Sequence, residues 1–157
     1  MFVYKQGVPL ATYDVSTSKF GVGDRRGSYR TPLGKLEVAK KIGAGAPVGM
    51  KFKSRHATGE IVPADAPGRD PIVTRILWLR GLEAQNRSAM DRGIYIHGTA
   101  AEHDIGRPVS YGCIRMRSRD VVQLFNTVGV GARVEVVPGS LAAQFASTAH
   151  AESVTVH

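Results

Sequence analysis

The stretch His97 to Met116, HGTAAEHDIGRPVSYGCIRM, constrains this chain more than any other part of it. Just before it, Ile94-Tyr95-Ile96-His97 alternates as a strand does, with the two isoleucines on one face and Tyr95 and His97 on the other. If the isoleucines pack into a core, His97 points away from it, toward a surface or cleft. Gly98-Thr99 ends that strand, and a polar loop with glycine and proline runs to Ser110. Cys113-Ile114-Arg115-Met116 then alternates again, so Cys113 and Arg115 share one face. Two strand ends joined by a loop return the cysteine to the neighbourhood of the histidine.

That pairing carries chemistry. A free thiol is only a few per cent thiolate at neutral pH, and the thiolate is the nucleophile. An adjacent imidazole takes the proton, and later returns it to a leaving amine. Gly112 lets the backbone turn sharply before the cysteine, so that neighbouring N–H groups can converge on an oxyanion. Cys–His acyl transfer through a thioester is the reaction class these residues reach. An activated Cys113 is expected to react with iodoacetamide at pH 6 to 7 faster than an ordinary thiol.

The block resembles the catalytic motif of L,D-transpeptidases (YkuD-type domains): H-G-T, a loop, then S-H-G-C-[IV]-R-[ML]. The likeness continues through Ser118-Arg119-Asp120-Val121-Val122 and Leu124-Phe125, where the family has a short helix, and Thr31-Pro32-Leu33-Gly34 resembles its T-P-x-G turn. It covers residues 1–138, read as the catalytic domain, with 139–157 a C-terminal tail or short helix. The resemblance implies a mainly β fold, a β-sandwich of mixed sheets with one short helix after the catalytic cysteine. It implies Cys113 as nucleophile, His97 as general base, and the backbone carbonyl of Gly98 orienting the imidazole. N–H groups around Tyr111, Gly112 and Cys113 would hold the oxyanion. Arg115, Ser110 and Thr99 are the substrate-binding candidates. Arg115 either pairs a substrate carboxylate or forms a structural salt bridge to a residue such as Asp104 or Glu102, and Ser110 shapes the turn rather than reacting. The chain departs from the pattern at Tyr111, where the family most often has histidine; a phenol donates a hydrogen bond there but carries no positive charge near pH 7.

By the same resemblance the donor is a peptidoglycan tetrapeptide stem, cleaved between its third residue and a terminal D-alanine. The acceptor is a second stem, giving a 3–3 cross-link, or a lysine of an envelope protein; with water the enzyme is an L,D-carboxypeptidase. Carbapenems would acylate the cysteine. No cofactor or metal is needed, the place of action is the cell envelope, periplasm or cell wall, and a monomer is expected. A different class of reading keeps the fold as a peptidoglycan-binding module without catalysis, motivated by Tyr111; retention of both His97 and Cys113 favours the enzyme.

Other classes are excluded or disfavoured by composition. With 157 residues and 43% hydrophobic content the chain can bury a single-domain core. No apolar run approaches the ~20 residues of a membrane span, and the N-terminal MFVYKQGVPLATYDV reads as a hairpin rather than a signal peptide. One cysteine forbids an intramolecular disulfide. His97, His103 and Cys113 are zinc-compatible, but no C-x-x-C, H-E-x-x-H or fourth ligand accompanies them. A papain-like protease has the reverse order of cysteine and histidine. The net charge of +8 comes in small scattered groups without an aromatic-basic platform, which disfavours nucleic acid; the carboxylates of peptidoglycan fit a basic surface at least as well, and a solvated basic face needs no function.

The remaining elements follow from pattern. Phe2 to Tyr4 and Pro9 to Ser16 form a hairpin around Lys5-Gln6-Gly7. Lys35 to Ala39 alternates, with Leu36 and Val38 on one face. Residues 42–71 read as a long loop, an irregular sheet edge or a flap over the substrate groove, with a short strand near Met50-Lys51-Phe52 and a surface His56. Ile72 to Leu79, IVTRILWL, is the strongest strand, apolar on both sides except at Thr74 and Arg75, with Trp78 in the core. Ser118 is expected to cap a helix carrying Val121, Val122, Leu124, Phe125 and Val128, ended by Gly129 or Gly131. Arg133 to Val137 forms a last strand.

Overall fold

The computed structural model describes residues 1–140; nearly all of the expected C-terminal tail or short helix at 139–157 therefore lies outside the described residues. Among the described residues nine strands and one α-helix form a mainly β architecture. β1 (Phe2–Lys5) and β2 (Val8–Thr12) make a two-stranded hairpin. Its turn residues Gln6 and Gly7 both have positive φ, 51° and 78°, the twist that a two-residue turn needs to match its strands. β2 stops earlier than the alternation suggested. Beyond it, Ser16 bridges Arg115 and Ser18 bridges Ser110, so this segment runs beside the cysteine loop instead.

The other seven strands share one sheet built around β6 (Ile72–Gly81). β6 pairs antiparallel with β3 (Gly34–Ile42), with β4 (Met50–Lys53) and with β7 (Tyr95–Thr99). β7 pairs parallel with β8 (Ile114–Met116), and β9 (Arg133–Val136) closes the far edge against β3. The 42–71 stretch is not one long loop: it holds the hairpin of β4 and β5 (His56–Ile61), with Phe52 buried and every residue of β5 exposed. The weak pattern has a physical cause, since an edge strand with no buried face leaves no apolar alternation to read.

The sheet is apolar on both faces, as a strand reading IVTRILWL requires. On one face Leu77 and Leu79 join Leu36, Val38, Ile96, Ile114 and Met116 beneath Val121, Leu124 and Phe125 of α1 (Ser118–Thr127). On the other, Ile76, Phe52 and Tyr95 pack with the half-buried Trp78 and Cys113. Trp78 thus lies at the margin of a core, its ring N–H donating to the Met90 carbonyl at 3.0 Å.

The two polar residues of β6 mark a break in the ladder. Pairing with β7 shifts register between Val73 and Ile76, which leaves Thr74 and Arg75 as a bulge. Thr74 has φ 74°, a conformation that costs a β-branched residue on the order of 1–3 kcal/mol. Its hydroxyl accepts from the Gly49 N–H at 3.0 Å and bonds the Ser118 hydroxyl at 2.6 Å. Ser118 is therefore not the cap that its position suggested. It is the first helical residue, and its N–H donates to the Glu102 carboxylate at 2.8 Å, a negative charge brought to the positive helix end by a distant loop.

Candidate active site

β7 and β8 are adjacent parallel strands with His97 opposite Arg115 and Ile96 opposite Ile114. Side chains in parallel register alternate together, so His97, Arg115 and Cys113 share the face away from the α1 core. Cys113 comes one residue before β8 and lies beside Tyr95, two residues back along β7 from His97. Its Sγ accepts from the Tyr95 N–H at 3.4 Å and donates to the Gly93 carbonyl at 3.3 Å. The sulfur is thus seated at the start of β7, and its proton is turned to backbone in the free protein.

His97 does not point to an open surface: the whole of β7 is buried, and His97 is 4% exposed. The ring is fixed by its Nδ1, 2.7 Å from the Gly98 carbonyl. A carbonyl only accepts, so Nδ1 carries the hydrogen and Nε2 is left with the lone pair. Gly98 itself has no room for a side chain. A Cβ there would sit 2.4 Å from the Val73 carbonyl oxygen and 3.1 Å from the Thr74 Cβ. The strained bulge of β6 therefore packs against the His97–Gly98 peptide whose carbonyl holds the imidazole.

The charge states follow from burial. Desolvation lowers the His97 pKa to about 4, with the Gly98 bond opposing and the Arg115 charge adding to the fall. Burial likewise pushes the Cys113 thiol up, against the pull of the Tyr95 N–H and of the Arg115 and Arg92 guanidinium charges. The resting pair at neutral pH is a thiol and a neutral imidazole. Both shifts oppose thiolate formation in the free protein, the direction contrary to the enhanced thiol reactivity expected at pH 6 to 7.

The turn before the cysteine is held by Ser110. Its hydroxyl donates to the Cys113 carbonyl at 2.6 Å and accepts from the Gly112 N–H at 3.2 Å. Gly112 has φ 124°, and a Cβ on it would lie 3.3 Å from the Arg30 carbonyl oxygen. Tyr111 points outward, 56% exposed, where the Lys19 ammonium donates to its phenol at 2.9 Å and lowers its pKa.

The three residues expected to bind substrate are engaged inside the protein. Arg115 forms a salt bridge, but to Asp70 at 3.1 Å rather than to Asp104 or Glu102. Asp104 instead pairs with Arg107, and Glu102 is committed to α1. Asp70 also accepts from the Thr99 hydroxyl at 2.7 Å and from the Ala100 and Ala101 N–H groups at 3.0 and 3.2 Å. Thr99 and Ser110 are buried. Each group has its partners because it lies where water cannot supply them. Asp70 was not legible from sequence, being one carboxylate in a loop. Thr74 and Arg75 had a signal, as the only polar pair within an apolar strand. Among the described residues no group of three or more His, Cys, Asp or Glu side chains could hold a metal ion.

The site places a thiol and an oriented imidazole on the same face of two adjacent strands in a mainly β fold. The profile of YkuD, the L,D-transpeptidase catalytic domain, matches residues 1–136. The chain is 33% identical over 134 residues to a probable L,D-transpeptidase, YbiS, of Escherichia coli (strain K12), covering 82% of this chain and 40% of that protein. It is 56% identical over 45 residues to a putative L,D-transpeptidase, YqjB, of Bacillus subtilis (strain 168), covering 28% of this chain and 26% of that one. Among solved structures, an L,D-transpeptidase from Mycobacterium smegmatis superposes with a TM-score of 0.53 at 22% identity, over 87% of this chain and 52% of that one. The L,D-transpeptidase LdtMt1 in complex with imipenem gives the same TM-score and identity, over 87% of this chain and 53% of the other. These two show the likeness of fold. The chain belongs to the L,D-transpeptidase catalytic domain family. It spans about two-fifths of the length of YbiS.

Proposed function

We propose that this chain catalyses cysteine-dependent acyl transfer on peptidoglycan stem peptides in the cell envelope. The observation that carries the reading is the imidazole locked through Nδ1 onto the Gly98 carbonyl, which leaves Nε2 as a base on the Cys113 face. Cys113 Sγ attacks the carbonyl between the third stem residue and the terminal D-alanine, and His97 Nε2 takes the thiol proton. With His97 lowered to about 4 and the thiol raised, no ion pair waits in the resting site. The proton moves as the S–C bond forms, while the Tyr111 and Cys113 N–H groups hold the developing oxyanion, the Gly112 N–H being given to Ser110. Collapse breaks the C–N bond; the departing D-alanine amine takes the proton from His97 and leaves the thioester.

An amine then attacks the thioester and regenerates the thiol. A second stem gives a 3–3 cross-link, an envelope-protein lysine gives attachment, and water gives the L,D-carboxypeptidase product. Arg115 acts as a positioning residue rather than a substrate ligand, because Asp70 already meets its charge. The test is the intact mass after incubation with imipenem, which a structural neighbour binds. One adduct on the wild type is expected, absent in Cys113→Ala and slow to form in His97→Ala. A folded wild type that forms no adduct and releases no D-alanine from a tetrapeptide would overturn the reading in favour of a binding module.

A further inference from the structure

Beside the cysteine loop lies a surface feature that the acyl-transfer chemistry does not use. Phe20, Tyr29 and Tyr111 come from three separate segments and meet ring to ring, with centroids 5.8 to 6.1 Å apart. All three are exposed, at 44%, 58% and 56%. The Lys19 ammonium donates to the Tyr111 phenol at 2.9 Å and lies 4.4 and 5.2 Å from the Tyr111 and Phe20 ring centres.

The segments under the rings are stitched together. The Lys19 N–H donates to the Ser110 carbonyl at 3.0 Å, and the Ser18 N–H to the Thr31 hydroxyl at 3.0 Å. The Ser18 hydroxyl donates to the Tyr29 carbonyl, and Gly112 lies against the backbone of Tyr29 and Arg30. The segments that carry the rings are held by backbone contacts, yet about half of each side chain's surface stays exposed. A contiguous exposed aromatic patch with a polar rim marks a surface for an occupant.

We propose that Phe20, Tyr29 and Tyr111, with Lys19, form a carbohydrate-stacking subsite that seats a pyranose of the glycan strand beside the nucleophile. This rests on the peptidoglycan reading above. A pyranose offers an apolar C–H face to the rings and polar substituents around its edge. Lys19 has three N–H donors, of which Tyr111 takes one; the others can serve hydroxyl or acetamido oxygens. Among the described residues Lys19 has no salt bridge to a carboxylate. A three-residue stem extends about 10 Å, so one substrate can reach from this patch, which begins two residues before Cys113, to the sulfur. The subsite also gives Tyr111 a role at the position where the family pattern has histidine.

The direct test is an NMR titration of Cys113→Ala protein with N-acetylglucosamine oligomers. Shifts should map to residues 18–20, 29 and 111. Added Phe20→Ala or Tyr29→Ala should weaken binding about tenfold, and Tyr29→Phe should retain it. In turnover, the Phe20→Ala and Tyr29→Ala changes should raise KM for a disaccharide-tetrapeptide about tenfold. They should leave kcat, the imipenem acylation rate and KM for the free tetrapeptide unchanged. Oligomer binding that ignores both changes, or equal KM effects on the two substrates, would overturn the proposal. If the wild type turned over neither substrate, the enzymatic reading would fail, and the oligomer titration would still decide the subsite.

Discussion

The two faces of the seven-stranded sheet differ in what they are built to do. Among the described residues, thirteen buried apolar side chains, three of them from α1, form one cluster between α1 and the sheet, whereas the cluster on the face that carries Cys113 has three, Phe52, Ile76 and Tyr95, ringed by half-buried neighbours. The first is a packed interior whose energy comes from burial, on the order of 1.5–3 kcal/mol for each large side chain. The second mixes apolar side chains with a thiol, an imidazole and a guanidinium–carboxylate pair, each satisfied by backbone or by one another. Stability concentrates on one side of a strand and chemistry on the other. β6 serves both because its alternation sends Leu77 and Leu79 one way and Ile76 the other.

Adjacent residues of β6 give the sharpest test of that division. Leu77→Ala should cost about 4 kcal/mol in urea unfolding and leave the imipenem acylation rate per folded molecule near wild type. Ile76→Ala should cost less, about 2 kcal/mol, because its smaller cluster can collapse around the gap. It should nonetheless slow acylation tenfold or more, since it backs Tyr95 and the sulfur. Equal effects on rate from the two substitutions would break the comparison.

Acid should expose the catalytic face next. The folded pKa of His97, about 4, is below its unfolded value, so the unfolded chain binds this proton first as pH falls from 6.5. The contribution is fully present above pH 6.5 and amounts to a loss of about 3 kcal/mol by pH 4. Urea midpoints at pH 7 and pH 4 should therefore converge in His97→Gln relative to the wild type; identical pH slopes would show that the histidine is not buried neutral. Asp70→Asn leaves Arg115 facing an amide and should cost about 2 kcal/mol. Its uncompensated charge should also depress His97 further, which makes it a weaker base: the plateau adduct-formation rate should fall while the acid limb of its pH profile moves to lower pH than in the wild type.

Much of this arrangement was legible in particular residues. The alternation at 94–97 and 113–116 marked strands at the histidine and the cysteine, although His97 proves central to β7 and Cys113 sits just before β8, and the apolar run at 72–79 marked the strand that both faces share. Other features were not. Of the β4–β5 hairpin, β4 falls where a short strand was expected near Met50-Lys51-Phe52, but β5 was hidden because it buries no face, so no period-two pattern constrains its sequence. Ser118 looked like a helix cap, but a carboxylate sixteen residues upstream takes that place and frees the hydroxyl for Thr74. The expectation that His97 points to a surface or cleft meets a side chain only 4% exposed, because alternation reveals only which side a residue takes, not what covers that side.

By itself the sequence determined local conformation and the identity of the candidate groups: which segments are strands, where glycine permits a turn, and that a lone thiol and a histidine lie in alternating segments. Those properties depend on periodicity and side-chain type, which are written residue by residue. The tertiary structure alone decided the protonation of that pair, the engagement of Arg115 by Asp70, and the meeting of Phe20, Tyr29 and Tyr111 at one rim. Desolvation, ion pairing and ring contact depend on atoms brought together from distant parts of the chain, and no local pattern encodes them.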